Sequence, residues 1–303
     1  MRPDLAERYF WPRRNFAALC GSLADYATAR AVVLPIPYDA TSSGNTAGTR
    51  EGPAAIIDAS QDLELYDLET GGEPAAVGIH TLPELAPILS GPEQMTAAIH
   101  ACARALLDDG KVIVGLGGEH SVTLGLVQAH LDHFPDLGVL CLDAHADLRD
   151  EYLGTPFGHA CVSRRVLALC PLVQVGVRSA SGPEAPLVQQ ARDDGLLFLA
   201  SELRADPRLV DRIAAALPAN VYVSVDLDVF DPSLMAAVDL PEPGGLLWAE
   251  VLAVLRAVAE RRRIVGADVV ELSPREGPRA CAFLAARLAY RLIGYATALS
   301  QRA

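Results

Sequence analysis

No apolar run in this chain reaches the roughly 20 residues that a membrane span requires. Its opening, MRPDLAERYFWPRRNF, lacks the apolar stretch of a secretory leader. Both absences predict a cytoplasmic protein without membrane contact. An excess of positive charge is also missing. The 25 basic residues stand against 38 acidic ones, a formal charge of −13, which disfavours nucleic acid and favours small cationic ligands through long-range attraction. There is no C-x-x-C pair among the six cysteines (Cys20, Cys102, Cys141, Cys161, Cys170, Cys281), so they read as free thiols. Cys161, two places after His159, is the cysteine weighed as a nucleophile. Finally, no internal repeat, low-complexity tract or long Pro/Gly/Ser linker divides the chain. A single domain over residues 1–303 is expected, with residues 1–30 as an N-terminal extension packing on it.

About half the residues are hydrophobic, enough for a substantial core. Short β-branched or apolar runs alternate with stretches of helical spacing, the pattern of an α/β fold around a mostly parallel sheet. Strands are predicted at Ala31–Ile36, Lys111–Leu116, Gly138–Leu142, Leu172–Val177, Leu196–Leu199, Asn220–Val225 and Val265–Val270. Helices are predicted at Pro53–Gln61, Gln94–Asp109, Ser121–His133, Pro183–Asp194, Pro207–Leu217, Trp248–Arg261 and Ala280–Leu299. Two Gly- and Pro-rich segments, TSSGNTAGTREGP and DPSLMAAVDLPEPGG, read as long ordered loops, which in compact domains are usually functional.

Ligands of parallel α/β sheets bind beyond the carboxyl ends of the strands. Four predicted strands end in polar residues there: GGEHSVT with His120, DAHADLRD with Asp143, His145 and Asp147, DLDVFD with Asp226 and Asp228, and Val265–Val270 delivering Glu271. In an extended backbone, residues i, i+2 and i+4 share a side, which would aim Asp143, His145 and Asp147 at one point. Two like charges 4 Å apart repel by about 4 kcal/mol at an effective dielectric of 20. Gathering four aspartates therefore calls for cations, and two divalent ions with two imidazoles and four carboxylates form a mixed N/O set suited to first-row transition metals. Taken singly, a D-x-D is often a turn and a lone histidine a core or surface residue. His80, His100, His130 and His133 lack such context and read as ordinary residues. GLGG before Glu119 lacks the Gly-Lys-Ser/Thr ending of a phosphate loop, so its glycines read as close-packing positions.

GGEHSVT, DAHADLRDEY, SVDLDVFDP and DVVELSP resemble the successive signature blocks of the arginase, agmatinase and formiminoglutamase family, and GTREGPAAI and LAARLAYRLIGY extend the likeness over nearly the whole chain. The resemblance implies a single-domain, three-layer α/β/α fold, two Mn²⁺ ions per subunit and assembly into trimers or hexamers. It places His120, Asp143, Asp147 and Asp226 on one ion and Asp143, His145, Asp226 and Asp228 on the other, with Asp143 and Asp226 bridging.

A guanidinium carbon is a poor electrophile, so its hydrolysis at neutral pH needs hydroxide; a bound divalent ion can lower the pKa of water to about 7. The resemblance then assigns Asp147 to orient that hydroxide, Glu271 to pair with the guanidinium, and His159 to pass a proton to the departing amine. The plainer readings are a salt bridge to arginine for Glu271 and a helix cap for His159. After the third aspartate the chain reads DLRDEYLGTPFGHACV, which is similar to agmatinases rather than arginases, and Asp150 and Glu151 would suit the free amine of agmatine or of aminopropylagmatine. Gly158, where agmatinases commonly have Ser, and Asp239 with Leu240 in VDLPEPGG depart from the family pattern. The expected function is hydrolysis of the guanidinium group of agmatine, or else of aminopropylagmatine, to urea and a polyamine by a hydroxide bridging the two ions. The alternatives are another guanidino substrate (guanidinobutyrate, arginine), a metal-dependent polyamine deacetylase, or a non-catalytic homologue.

Overall fold

The computed structural model describes residues 14–42 and 48–299. The first 13 residues of the expected N-terminal extension, and residues 43–47 of the first long loop, lie outside the described residues. Eight parallel strands form one sheet: β1 (Ala31–Ile36), β2 (Ile79–Thr81), β3 (Val112–Gly117), β4 (Leu137–Leu142), β5 (Leu172–Val177), β6 (Leu197–Leu199), β7 (Asn220–Asp226) and β8 (Arg263–Val270). Their order is β2-β1-β3-β8-β7-β4-β5-β6.

The strands are apolar on both faces, and successive side chains enter different cores. Val33, Leu140 and Leu142 join one cluster, while Val32, Leu34, Val139 and Cys141 join the other. The first is covered by α1 (Gly52–Ser60), α8 (Trp248–Arg261) and α9 (Arg279–Gly294). The second is covered by α2 (Pro92–Asp108), α3 (Val122–His133) and α4 (Val162–Leu167). Helix α2 illustrates the logic: Met95, Ile99, Ala103 and Leu106 recur at helical spacing and all are buried. Each large side chain so buried contributes about 1.5–3 kcal/mol. The arrangement is the expected three-layer α/β/α fold.

Four elements differ from the sequence reading. The edge strand β2 pairs with β1 over Ala31↔Ile79 to Val33↔Thr81, although three residues are too short to show a period. Helices α4 and α6 (Ala200–Ala205) escaped for the same reason; α5 (Ala185–Asp193) and α7 (Leu209–Ala216) lie within the predicted spans. The last helix is α-helical to Gly294 and continues as a π turn over Tyr295–Leu299. Among the described residues no helix is long and apolar enough to cross a membrane.

The four strands that end in polar residues, β3, β8, β7 and β4, are neighbours in the sheet. Residues up to 151 positions apart in sequence are thereby delivered to tips spaced about 4.8 Å from strand to strand. Close approach at this edge demands glycine. A Cβ on Gly118 would lie 2.0 Å from the Tyr38 carbonyl oxygen, which accounts for the glycines of GLGG as packing positions.

Candidate active site

His120 follows β3 and is buried, with its ring locked from behind. Ser224 Oγ donates to Asp268 Oδ1 (2.7 Å) and lies 3.0 Å from His120 Nε2; Tyr222 OH donates to the other Asp268 oxygen (2.8 Å). Because the Ser224 hydrogen is given to Asp268, Ser224 can only accept from the imidazole, so Nε2 carries the ring hydrogen. In the neutral ring Nδ1 then presents a bare lone pair. It faces Asp143 Oδ2 at 3.1 Å, Asp147 Oδ2 at 3.3 Å and Asp226 Oδ2 at 3.3 Å. His120 Nδ1 and Asp143 Oδ2 are both buried without a hydrogen-bond partner. Four acceptors converging on one point fit a cation.

A second group adjoins the first. His145 Nδ1 lies 2.7 Å from Asp228 Oδ2 and 3.8 Å from Asp143 Oδ1. Asp143 thus turns one oxygen to each group. Main-chain donors hold the carboxylates: Ala144 N–H to Asp228 Oδ1 (2.9 Å), His145 N–H to Asp143 Oδ1 (2.6 Å) and Asp228 N–H to Asp226 Oδ1 (2.9 Å). Cys141 is close enough to His120 and Asp143 to be a further donor. Its sulfur, however, meets the ring at Nε2 (4.0 Å), the side turned away from the carboxylates, and burial pushes its thiol up to about 12. Cys141 is a core residue.

The six residues converge, but not by the alternation expected of an extended strand. β4 stops at Leu142, and Asp147 sits at φ 52 in the left-handed region. Asp228 lies in a 3₁₀ turn, Leu227–Val229. Glu271, at φ 65, is likewise left-handed. Such strain in non-glycine residues costs about 1–3 kcal/mol and gathers at functional sites.

The electrostatics describe a cluster short of positive charge. Burial, with Asp147 and Asp228, raises Asp143 to about 7. Asp226 and Glu271 are pushed well above the carboxylate range by burial first, then by neighbouring carboxylates. Burial opposes charge on His120 and His145, yet the aspartates raise the former well above the ordinary imidazole value and Asp228 takes the latter to about 11. Burial would also raise Asp228, but His145 holds it below its usual value. Protons are drawn to where cations would fit.

Beside this floor opens a cavity of about 210 Å³, lined by Asp147, Asp226, Asp228, Glu271, His145 and His159 and walled further out by Arg149, Tyr152, Glu184, Asp239 and Leu240. Glu271 Oε1 accepts the His120 main-chain N–H at 2.6 Å, so its partner is backbone and not an arginine. His159 opens a 3₁₀ turn ahead of α4; its ring faces Tyr152 edge-on, with centroids 5.5 Å apart. Asp150 and Glu151 do not line this cavity. The Asp150 side chain is 80% exposed and bonds to Arg165, and both residues border a separate depression. The structure thus does not bring these two residues, expected to grip the far end of a substrate, to the cavity: after Arg149 the chain turns outward. Burial also takes the Cys161 thiol to about 11, which excludes it as a ready nucleophile, and all six cysteines are unpaired.

Sequence reasoning missed Glu184 and Thr41. Glu184 closes a capping box, accepting Ser181 N–H (2.7 Å) and Ser181 Oγ–H (2.5 Å), and it also takes Leu148 N–H (2.7 Å). Its signal, Ser181-x-x-Glu184, stands in the sequence. Thr41 had none beyond its place in a long loop.

The profile of the arginase family matches residues 29–294. The chain belongs to the arginase family. Within it, the chain is 38% identical over 283 residues to a protein of Synechocystis named N(1)-aminopropylagmatine ureohydrolase, covering 90% of this chain and 91% of that one. It is 42% identical to a protein of the same name from Thermus thermophilus (89% and 91% covered). The solved agmatine ureohydrolase of Thermoplasma volcanium superposes with a TM-score of 0.83 at 30% identity, covering 96% of both chains. As a member of this family the chain is an enzyme, a hydrolase with the arginase-like fold.

Proposed function

We propose that this enzyme hydrolyses the guanidinium group of a linear guanidino-polyamine, N(1)-aminopropylagmatine ahead of agmatine, releasing urea and a polyamine. The observation that carries the reading is the bare Nδ1 of His120 turned on three buried aspartates at the tips of adjacent strands. Two Mn²⁺ ions fit this donor set, one held by His120, Asp143, Asp147 and Asp226, the other by Asp143, His145, Asp226 and Asp228. When bound, such ions supply hydroxide at neutral pH and offset the carboxylate charge.

The remaining chemistry belongs to side chains of the cavity. Glu271 takes the guanidinium by charge-assisted hydrogen bonds and turns its carbon toward the floor. Asp147, at the floor's edge, accepts a hydrogen bond from the attacking oxygen and fixes its direction. As the C–N bond breaks, the departing nitrogen takes a proton from His159, and urea and the amine separate. With Asp147, Asp226 and Asp228 committed to the ions, Glu184, Asp239 and Glu271 remain along the cavity against the single guanidinium of Arg149, which suits a cationic substrate and disfavours the carboxylate of arginine or guanidinobutyrate. The names of the Synechocystis and Thermus relatives support the longer polyamine.

Urea release from aminopropylagmatine, agmatine, arginine and guanidinobutyrate by the Mn²⁺-loaded enzyme tests this, with the first substrate expected to give the highest kcat/KM. Silence across the panel, or acetate release from an acetylated polyamine instead, overturns it. The family resemblance supports a homotrimer or hexamer, which sedimentation checks.

A further inference from the structure

Glu119 stands next to His120 but belongs to neither group of metal-facing atoms. It is fully buried, and four donors converge on its two oxygens. Thr41 N–H (2.7 Å) and Ser42 Oγ–H (3.3 Å) reach Oε2; Thr41 Oγ1–H and Ser121 Oγ–H, each at 2.5 Å, reach Oε1. Thr41 in turn meets His159 twice. Its hydroxyl oxygen accepts the His159 main-chain N–H at 3.0 Å and lies 3.3 Å from ring Nδ1.

A hydroxyl has one hydrogen and two lone pairs. The Thr41 hydrogen goes to Glu119, since an acceptor surrounded by four donors has nothing to return. One lone pair receives the His159 main chain, and the other is left for Nδ1, which must then bring the hydrogen itself. The geometry points to Glu119 and Thr41 as positioning residues that hold His159 in its Nδ1–H tautomer, with Nε2 as the atom that exchanges a proton. Tyr152, edge-on to the ring at 83°, closes the other side of this clamp.

The mechanistic consequence rests on the function proposed above; the tautomer does not. With Nδ1–H committed to Thr41, the proton given to the departing nitrogen leaves from Nε2 as the C–N bond breaks, and the neutral ring remains with its Nδ1 hydrogen in place. An imidazole free to flip would spend part of its time with the wrong nitrogen facing the cavity.

The test uses the full-length enzyme with ¹⁵N-labelled histidine and a diamagnetic divalent ion in place of manganese, the His159 resonances being assigned by their loss in His159→Gln. The neutral ring should show an N–H signature at Nδ1 and a bare-nitrogen signature at Nε2. Thr41→Val should scramble the two, lower kcat about tenfold or more with KM within about threefold, and be rescued in both readouts by Thr41→Ser. A wild-type ring protonated at Nε2 overturns the proposal, as does a Thr41→Val enzyme with unchanged tautomer and kcat. If Thr41→Val does not fold, the wild-type spectrum still decides. The Nδ1–H signature in a protein that releases urea from no substrate would sink the functional reading and leave the clamp standing.

Discussion

His120 in its neutral form commits its one ring hydrogen to Ser224 on the far side and so turns a bare Nδ1 on Asp143 Oδ2, 3.1 Å away. Two buried acceptors held at that distance are destabilising unless a cation joins them. Stripping divalent ions with a chelator should therefore lower the melting temperature, and manganese should restore it. An ion at 100 times its Kd adds about 2.7 kcal/mol. Asp143→Asn, which touches both groups, should abolish the response. Calorimetry with metal analysis checks this, and a melting curve indifferent to chelator and manganese would refute it.

Glu271→Gln keeps an oxygen to accept the His120 main-chain hydrogen but removes the charge offered to a guanidinium. We expect kcat/KM to fall by at least about 100-fold, as when one charged hydrogen bond to a reacting group is lost, while bound metal and melting temperature stay close to those of the wild type. Loss of folding or of metal would show instead that Glu271 holds the β3 tip and takes no part in the chemistry.

His130 offers a pH signature remote from the site. It is buried with Nδ1 2.7 Å from the Leu126 carbonyl oxygen, and burial lowers it from 6.5 to about 4. As pH falls below 6.5 the unfolded chain takes up a proton that the folded one refuses until about pH 4. Stability is thus unaffected above pH 6.5 and declines through this window by a total of about 3 kcal/mol. Urea midpoints at pH 7 and 4.5 for wild type and His130→Gln measure it. Equal pH dependence in the two proteins would mean that the histidine is not held neutral.

Gly158 has φ −80 and ψ 166, a conformation open to any residue, and an added Cβ would meet its nearest neighbour, Thr41 Oγ1, at 3.4 Å. Gly158→Ala should therefore stabilise the fold by about 0.4–1 kcal/mol through the unfolded chain, without impairing turnover. A lowered melting temperature would reveal a constraint at this turn that the contacts do not show.

The parallel α/β sheet and the positions of the six floor residues at strand ends were legible in sequence because strand tips follow periodic apolar runs; the order of the strands, which brings those tips together, was not. Nor was the local geometry. Asp147 and Glu271 adopt left-handed backbone that nothing in their residue types announces, and Asp228 sits in a 3₁₀ turn where an extended pair was expected. That Asp150 and Glu151 lie away from the cavity was not legible because a side chain's direction in a loop depends on partners elsewhere in the chain, here Arg164 and Arg165 for Asp150. Glu119 passed unnoticed although it adjoins a ligand, since only tertiary structure brings Thr41 and His159 to it.

The division of labour between sheet and loops bears on how such an enzyme diversifies. The floor hangs from the tips of β3, β7 and β4, tied into one sheet with β8 between β3 and β7, and its residues share one cluster of charge. The outer wall is assembled from Arg149 and Tyr152 in one segment, Glu184 in a second, and Asp239 with Leu240 in a third. Selection can rewrite these segments one at a time, trading the molecule that is accepted while the bond-breaking apparatus beneath is inherited intact.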